Sequence, residues 1–171
     1  MTPLVIGIDP GTKQSAYVAW DGQWIQEIGT EPNPQVAKYL RDVARRTGRE
    51  TCVVFEAVEP YGMVVGREVF ETIFWTGRLF QIARDTIGPK QVSRLPRRAV
   101  KKFLKLTPGS GDKQVRAALV QRYPAIQDWH GPLKAHTWSA FAIAVTWWNT
   151  ERLRQPLKGQ EPLHAASVLC S

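Results

Sequence analysis

A chain of 171 residues with 43% hydrophobic and 22% charged side chains is long enough for one domain with a real core, too short for two, and too apolar to stay disordered. Its net charge of +8 comes from 23 basic and 15 acidic side chains, and its placement is uneven. Nine basic residues and a single acid, Asp112, lie between Lys90 and Arg116; the other 14 basic and 14 acidic residues cancel. No apolar run approaches the ~18 residues of a membrane span, and Met1-Thr2-Pro3 does not read as a secretion signal. The two cysteines, Cys52 and Cys170, lack metal-type spacing and read as thiols in a reducing cytoplasm.

In chain order, Leu4–Asp9 reads as a buried strand. Residues Gln14–Trp20 and Gln23–Ile28 read as two more strands joined by the turn Asp21-Gly22. From Pro34 to Thr47 the apolar residues Val36, Leu40, Val43 and Ala44 keep helical spacing, and Gly48 fits the helix end. Thr51–Phe55 is a short apolar strand. Val64 to Ile87 reads as a long helix, Gln91–Leu95 as a short strand, and Pro96–Leu106 as a basic helix with Pro in its first turn. A glycine-rich loop, Thr107 to Gly111, leads to a helix over Asp112–Tyr123, and His136 to Arg154 is the last helix. Residues 1–154 form one domain and residues 155–171 a loose tail. A hairpin followed by helical crossovers predicts an α/β fold: a mixed five-stranded sheet flanked by helices, antiparallel at one side and parallel at the other.

Two apolar strands end in an acid, Asp9 and Glu56. Carboxylates at the ends of neighbouring parallel strands lie side by side and disfavour each other's ionised form. A divalent cation between them removes that repulsion, so the pair is a candidate metal site. The basic stretch suits a polyanion such as nucleic acid. Taken singly, each feature has a plainer reading: a turn aspartate, a strand-end glutamate, a solvated basic face.

Four segments, taken together and in order, resemble the RuvC family of Holliday-junction resolvases, with an RNase H-like fold: "IGIDPGT", "VVFEAV", "PRRAVKKFLKLTPGSGDKQVRAALV" and "HTWSAFAIAVTWW". The stretch "EPYGMVVGREVFETIFWTGRL" is similar to phage-type and divergent members. The resemblance runs from about residue 4 to about residue 149. It implies catalytic and metal-binding roles for Asp9, Glu56, His136 and the residue at position 139, and a phosphate-stabilising role for Lys113. The family carries Asp where this chain has Ser139, a weaker ligand for a hard cation, so an impaired or purely binding site is among the expectations. The implied cofactor is Mg²⁺ or Mn²⁺, two ions about 4 Å apart, with Asp9 bridging. The implied partners are a four-way DNA junction and a second copy of the chain in a homodimer. Arg94, Arg97, Arg98, Lys101, Lys102, Lys105, Lys113 and Arg116 are the expected DNA contacts, and Tyr61 is placed to stack on a junction base. The long helix carries more apolar surface than one face needs; it is either a dimer seam or buried on both sides.

Three rivals stand beside that reading. "GIDPGT" also resembles the phosphate loop of sugar-kinase and actin-like ATPases, which need a second half-domain that 171 residues do not hold. A non-catalytic junction-binding protein would account for Ser139. An RNA-processing nuclease of the same fold would share the carboxylates.

Overall fold

The computed structural model describes residues 3–48, 50–59, 66–128 and 133–151. Tyr61, residues 64 and 65 of the predicted long helix, the last residues predicted for the final helix and the 155–171 tail lie outside the described residues. Strands β1 (Leu4–Asp9), β2 (Gln14–Trp20), β3 (Ile25–Pro32), β4 (Thr51–Ala57) and β5 (Val92–Pro96) form one sheet in the order β3-β2-β1-β4-β5. β1 runs antiparallel to β2 and parallel to β4, and β5 continues the parallel side. The sheet is therefore mixed in the way the sequence predicts.

Helices cover both faces. α1 (Asn33–Thr47) and α2 (Arg67–Ile87) pack on the face presented by Leu4, Ile6, Ile8, Val53 and Phe55. α3 (Arg97–Phe103), α4 (Asp112–Arg122) and α5 (Ala135–Thr150) cover the face presented by Val5, Val18, Cys52 and Val54. The central strands are buried on both faces, which is why they read as continuous apolar runs rather than alternating ones. α5 lies between the sheet and the outer helices, and it is buried from Ala140 to Trp147. A helix apolar all round needs such a place. The approach of α5 to β1 demands a glycine: a Cβ on Gly7 would stand 2.1 Å from the carbonyl oxygen of Ala140.

Several boundaries differ from the sequence expectation, and those of β3 and α3 have a local reason. β3 begins at Ile25 because the Asp21 carboxylate accepts hydrogen bonds from the amides of Gln23 (3.0 Å) and Trp24 (2.8 Å), holding both in the turn. It runs on to Pro32 as an edge strand, where Gly29 and a terminal Pro are tolerated. α3 stops at Phe103, short of the predicted Leu106. Lys105 takes a left-handed φ of 57°, and the Leu106 amide donates back to the Lys101 carbonyl at 2.9 Å. That is a helix stop usually signalled by glycine, and the sequence has none there. A short 3₁₀ turn, Pro124–Asp128, was not foreseen.

α2 turns only part of its apolar surface inward. Thr76, Leu79 and Ala83 are buried, whereas Phe70 (63%), Ile73 (47%) and Phe74 (56%) are exposed. The reading of this helix as buried on both sides is thus not what the fold shows. No helix among the described residues is long and apolar enough to cross a membrane.

Candidate functional site at the ends of β1 and β4

Successive residues of a strand point to opposite faces of the sheet. Asp9 shares the parity of Val5, and Glu56 that of Cys52 and Val54, so both carboxylates face α5. The register pairs Ile8 with Phe55, which sets Asp9 and Glu56 next to each other on neighbouring parallel strands. α5 begins above this edge. His136, in its first turn, places Nδ1 3.0 Å from Oδ2 of Asp9, with 71% of its side chain exposed. Ser139, one turn further, lines a small cleft with Glu56, Arg97 and Asp112. The Gly7 contact that seats α5 on β1 thus also brings positions 136 and 139 over the carboxylates.

Burial raises the pKa of Asp9 above its ordinary value, against the opposing pull of His136 and Arg97. Glu56 is pushed up to about 7, first by burial and then by the charge of Asp9, with Arg97 acting in the opposite sense. Two carboxylates are held together at a place where neither is well solvated, and a cation bound there would favour the ionised form of both.

Arg97 is the residue whose place the sequence did not foretell. Expected on the DNA-contact stripe, it lies against the carboxylates: Nη1 stands 3.3 Å from Oε1 of Glu56, and Nη2 pairs with Oδ1 of Asp112. Two features fix that place. β5 pairs with β4 so that Leu95 faces Glu56, and Arg97 follows two residues later. Asp112 is the single acid in the basic stretch. Lys113 sits exposed beside Asp112 at the start of α4.

The other basic residues divide. Arg98 pairs with Glu59 at 3.2 Å, and Lys101 donates to the Pro108 carbonyl. Arg94 lies over the Phe80 ring (5.6 Å) and Arg116 over Trp138 (5.1 Å). Lys102 and Lys105 are exposed. Arg98, Lys101 and Lys102 line one shallow groove with Leu106 and Pro108.

Among the described residues no three His, Cys, Asp or Glu side chains converge closely enough to enclose a metal ion. The carboxylate pair nevertheless has the donor chemistry for one hard divalent cation: two adjacent anionic oxygen donors in a desolvated edge, with an imidazole against one of them. Provision for a second ion is poorer, because position 139 offers a hydroxyl and the Arg97 guanidinium already occupies the same cleft.

Sheet order, crossovers and the carboxylate edge together define an RNase H-like α/β fold. Within that class the chain has the fold of RuvC. Thermus thermophilus RuvC matches with a TM-score of 0.67 at 18% identity, over 88% of this chain and 96% of that one. T. thermophilus RuvC in complex with Holliday junction substrate matches with a TM-score of 0.63 at 19% identity, over 84% and 91%. The yeast mitochondrial Holliday junction resolvase Ydc2 matches with a TM-score of 0.54 at 12% identity, over 85% and 78%. These likenesses establish the fold. No family model matches the chain, and no curated protein does.

Proposed function

We propose that the protein is a structure-selective endonuclease that hydrolyses phosphodiester bonds in four-way DNA junctions with the help of a divalent cation. The observation that carries this reading is the buried pair Asp9 and Glu56 at the edge of a RuvC-like sheet, beside the segment that holds the whole net charge. Asp9 and Glu56 would hold the cation, with His136 fixing Asp9. Bound there, Mg²⁺ or Mn²⁺ would supply an activated water and stabilisation of the leaving oxygen. The chain's own groups do the rest. Arg97 presents a guanidinium between Glu56 and Asp112, next to where charge develops on the phosphoryl oxygens. Lys113 adds a second positive charge from the start of α4. In the hydrolysis a water oxygen gives up a proton and bonds to phosphorus, the bond to the leaving sugar oxygen breaks, and that oxygen takes up a proton.

The test is a labelled four-way junction beside a plain DNA duplex and an RNA duplex, with Mg²⁺ or Mn²⁺. Cutting confined to the junction and abolished by Asp9→Asn is the expected result. Equal cutting of the RNA duplex would transfer the reading to RNA processing. Junction affinity should fall steeply with salt. Replacing Arg98, Lys102 and Lys105 together by alanine should lower the slope of log affinity against log salt by about 2–3. An unchanged slope would place the phosphates away from the stripe.

A four-way junction has approximate two-fold symmetry, and paired cuts need two sites, which a C₂ homodimer supplies. The exposed stripe Phe70, Ile73 and Phe74 on α2, with Arg78 stacked over the Phe74 (5.4 Å) and Trp75 (4.7 Å) rings, is the proposed seam. Because Phe74 is exposed, Phe74→Glu should leave the fold intact and give monomers in sedimentation. A folded dimer of that variant would put the interface elsewhere. A reducing cytoplasm fits this reading, with Cys52 buried as a thiol.

A second reading has its own observation. Ser139 and the Arg97–Glu56 ion pair both weaken the site for metal, which favours a protein that binds junctions without cutting them. Binding with no cleavage under any metal, persisting after Ser139→Asp, selects it.

A further inference from the structure

The turn between β1 and β2 is locked by polar groups that the hydrolytic site does not use. Ser15 (1% exposed) and Asn33 (0%) are buried. The Gly11 amide donates to Oγ of Ser15 at 3.3 Å, and the Ser15 hydroxyl donates to Oδ1 of Asn33 at 2.6 Å. Nδ2 of Asn33 donates to the Gly11 carbonyl, and its backbone amide to the Lys13 carbonyl, each at 3.0 Å. An amide and a hydroxyl are costly to bury unless hydrogen-bonded, and here both are used to fix one surface turn to the start of α1. The turn is tight as well: a Cβ on Gly11 would stand 2.4 Å from the Gln14 carbonyl oxygen.

What the lock holds in place is one wall of a cavity of about 460 Å³. Thr12 and Lys13 line that wall, and Thr30 of β3, Asp9 and His136 line the cavity with them. The volume lies within the ~300–1,000 Å³ of small-ligand pockets. Sheet order gives the cavity its meaning. Asp9 stands on β1, with β4, β5 and the basic helix α3 to one side and β2 and β3 to the other. The carboxylate pair therefore lies between the basic stripe and this cavity. A strand that crosses the carboxylates from the stripe enters the cavity next. The Lys13 ammonium makes no ion pair among the described residues. One cation and one hydroxyl, close to the anionic Asp9, match a singly charged phosphodiester; a nucleoside triphosphate would bring several negative charges against that carboxylate.

We infer that the cavity between the β1–β2 turn and His136 is a subsite for one nucleotide of the DNA strand, flanking the phosphate over Asp9 and Glu56, with its own phosphate held by Lys13 and Thr12. The inference rests on the nuclease reading above. Ser15 and Asn33 act as positioning residues that keep the turn in its binding shape.

The test is binding of a fluorescein-labelled four-way junction, followed by anisotropy across a salt series in EDTA, so that no cutting intervenes. Lys13 is exposed, and Lys13→Ala should fold normally. It should weaken binding about fivefold and reduce the salt slope by about one, and Lys13→Arg should restore both. Asn33→Asp cannot donate to the Gly11 carbonyl, and it should reproduce the loss of affinity while the Lys13 charge remains. The Arg98, Lys102, Lys105 triple variant is the reference. If that variant loses affinity while Lys13→Ala keeps both affinity and slope, the subsite is refuted and the nuclease reading stands. If the unaltered protein does not bind the junction, the nuclease reading fails and the subsite with it. Tight binding of ATP that is lost in Lys13→Ala would also overturn the assignment to a DNA strand.

Discussion

Glu56→Gln is expected to raise the thermal unfolding temperature at pH 8 while abolishing junction cleavage. Glu56 is pushed from an ordinary value of 4.5 to about 7, chiefly by burial and then by Asp9. The folded protein therefore keeps a proton on this carboxyl that the unfolded chain has already released. Stability from that proton is fully present below about pH 4.5 and is lost as pH rises through about 7. Asp9 is raised by burial and acts in the same direction. At pH 8 the protein holds two ionised, poorly solvated carboxylates side by side, and only Arg97 and His136 oppose the strain.

Glutamine keeps the shape of Glu56 and removes its charge. The gain is capped at about 3 kcal/mol by the size of the shift, and the weakened Arg97 contact takes back part of it. For a chain of this size each kcal/mol moves the midpoint by about 2–4 °C. Unfolding curves in EDTA from pH 4.5 to 8.5 should converge at the acidic end and separate above pH 6, with the variant higher. Added Mg²⁺ should stabilise the unaltered protein at pH 8 and leave the variant nearly unmoved, since ligand binding to the folded state raises its stability. Curves with the variant lower at every pH would mean that Glu56 is ionised throughout and serves as the structural partner of Arg97.

The parts of this site that could be read from the sequence are those set by strand parity and chain order. Asp9 and Glu56 each end an apolar run, and an apolar run is what a strand buried on both faces looks like. Their adjacency required only that the two strands be neighbours and parallel, which a helical crossover between them predicts. His136 was legible only through the resemblance of its segment to the RuvC family; taken alone, a histidine at the start of an apolar helix carries no such signal. Arg97 was not legible in the same way. Its charge is one of nine in a stretch that reads as a uniform basic face, and nothing in local pattern separates the one that turns inward from the eight that do not. That choice is made by the pairing of β5 with β4 and by Asp112, fifteen residues downstream in sequence and in contact in space. The Ser15–Asn33 lock is similar: two small polar residues 18 positions apart carry no signal until β2 and α1 are brought together.

Ser139→Asp should accelerate Mg²⁺-dependent junction cutting by about 10–100-fold, a gain on the scale of restoring a group that orients a metal site. Ser139 lies one turn after His136 and shares a cleft with Glu56, Arg97 and Asp112. An aspartate there does two things. Without metal it competes with Glu56 for the Arg97 guanidinium, which loosens the contact that now neutralises Glu56. With metal it adds an anionic oxygen donor on the side where the chain offers only a hydroxyl. Mg²⁺ gains most, being the cation that depends most on carboxylate oxygen. Mn²⁺ accepts imidazole nitrogen more readily, so it should already support slow cutting by the unaltered protein and gain less from the substitution. Junction affinity in EDTA should stay within about twofold, because the phosphate contacts proposed for the basic stripe do not involve position 139. Asp9→Asn placed in the Ser139→Asp background should abolish cutting again, which ties the gain to the carboxylate edge. If both forms cut at the same rate, position 139 takes no part in holding a cation, and the positive charge in that cleft is supplied by Arg97. Arg97→Ala then becomes the substitution that stops cleavage while Ser139→Asp is silent, and the hydroxyl at 139 is explained as the group that leaves the guanidinium room to reach Glu56.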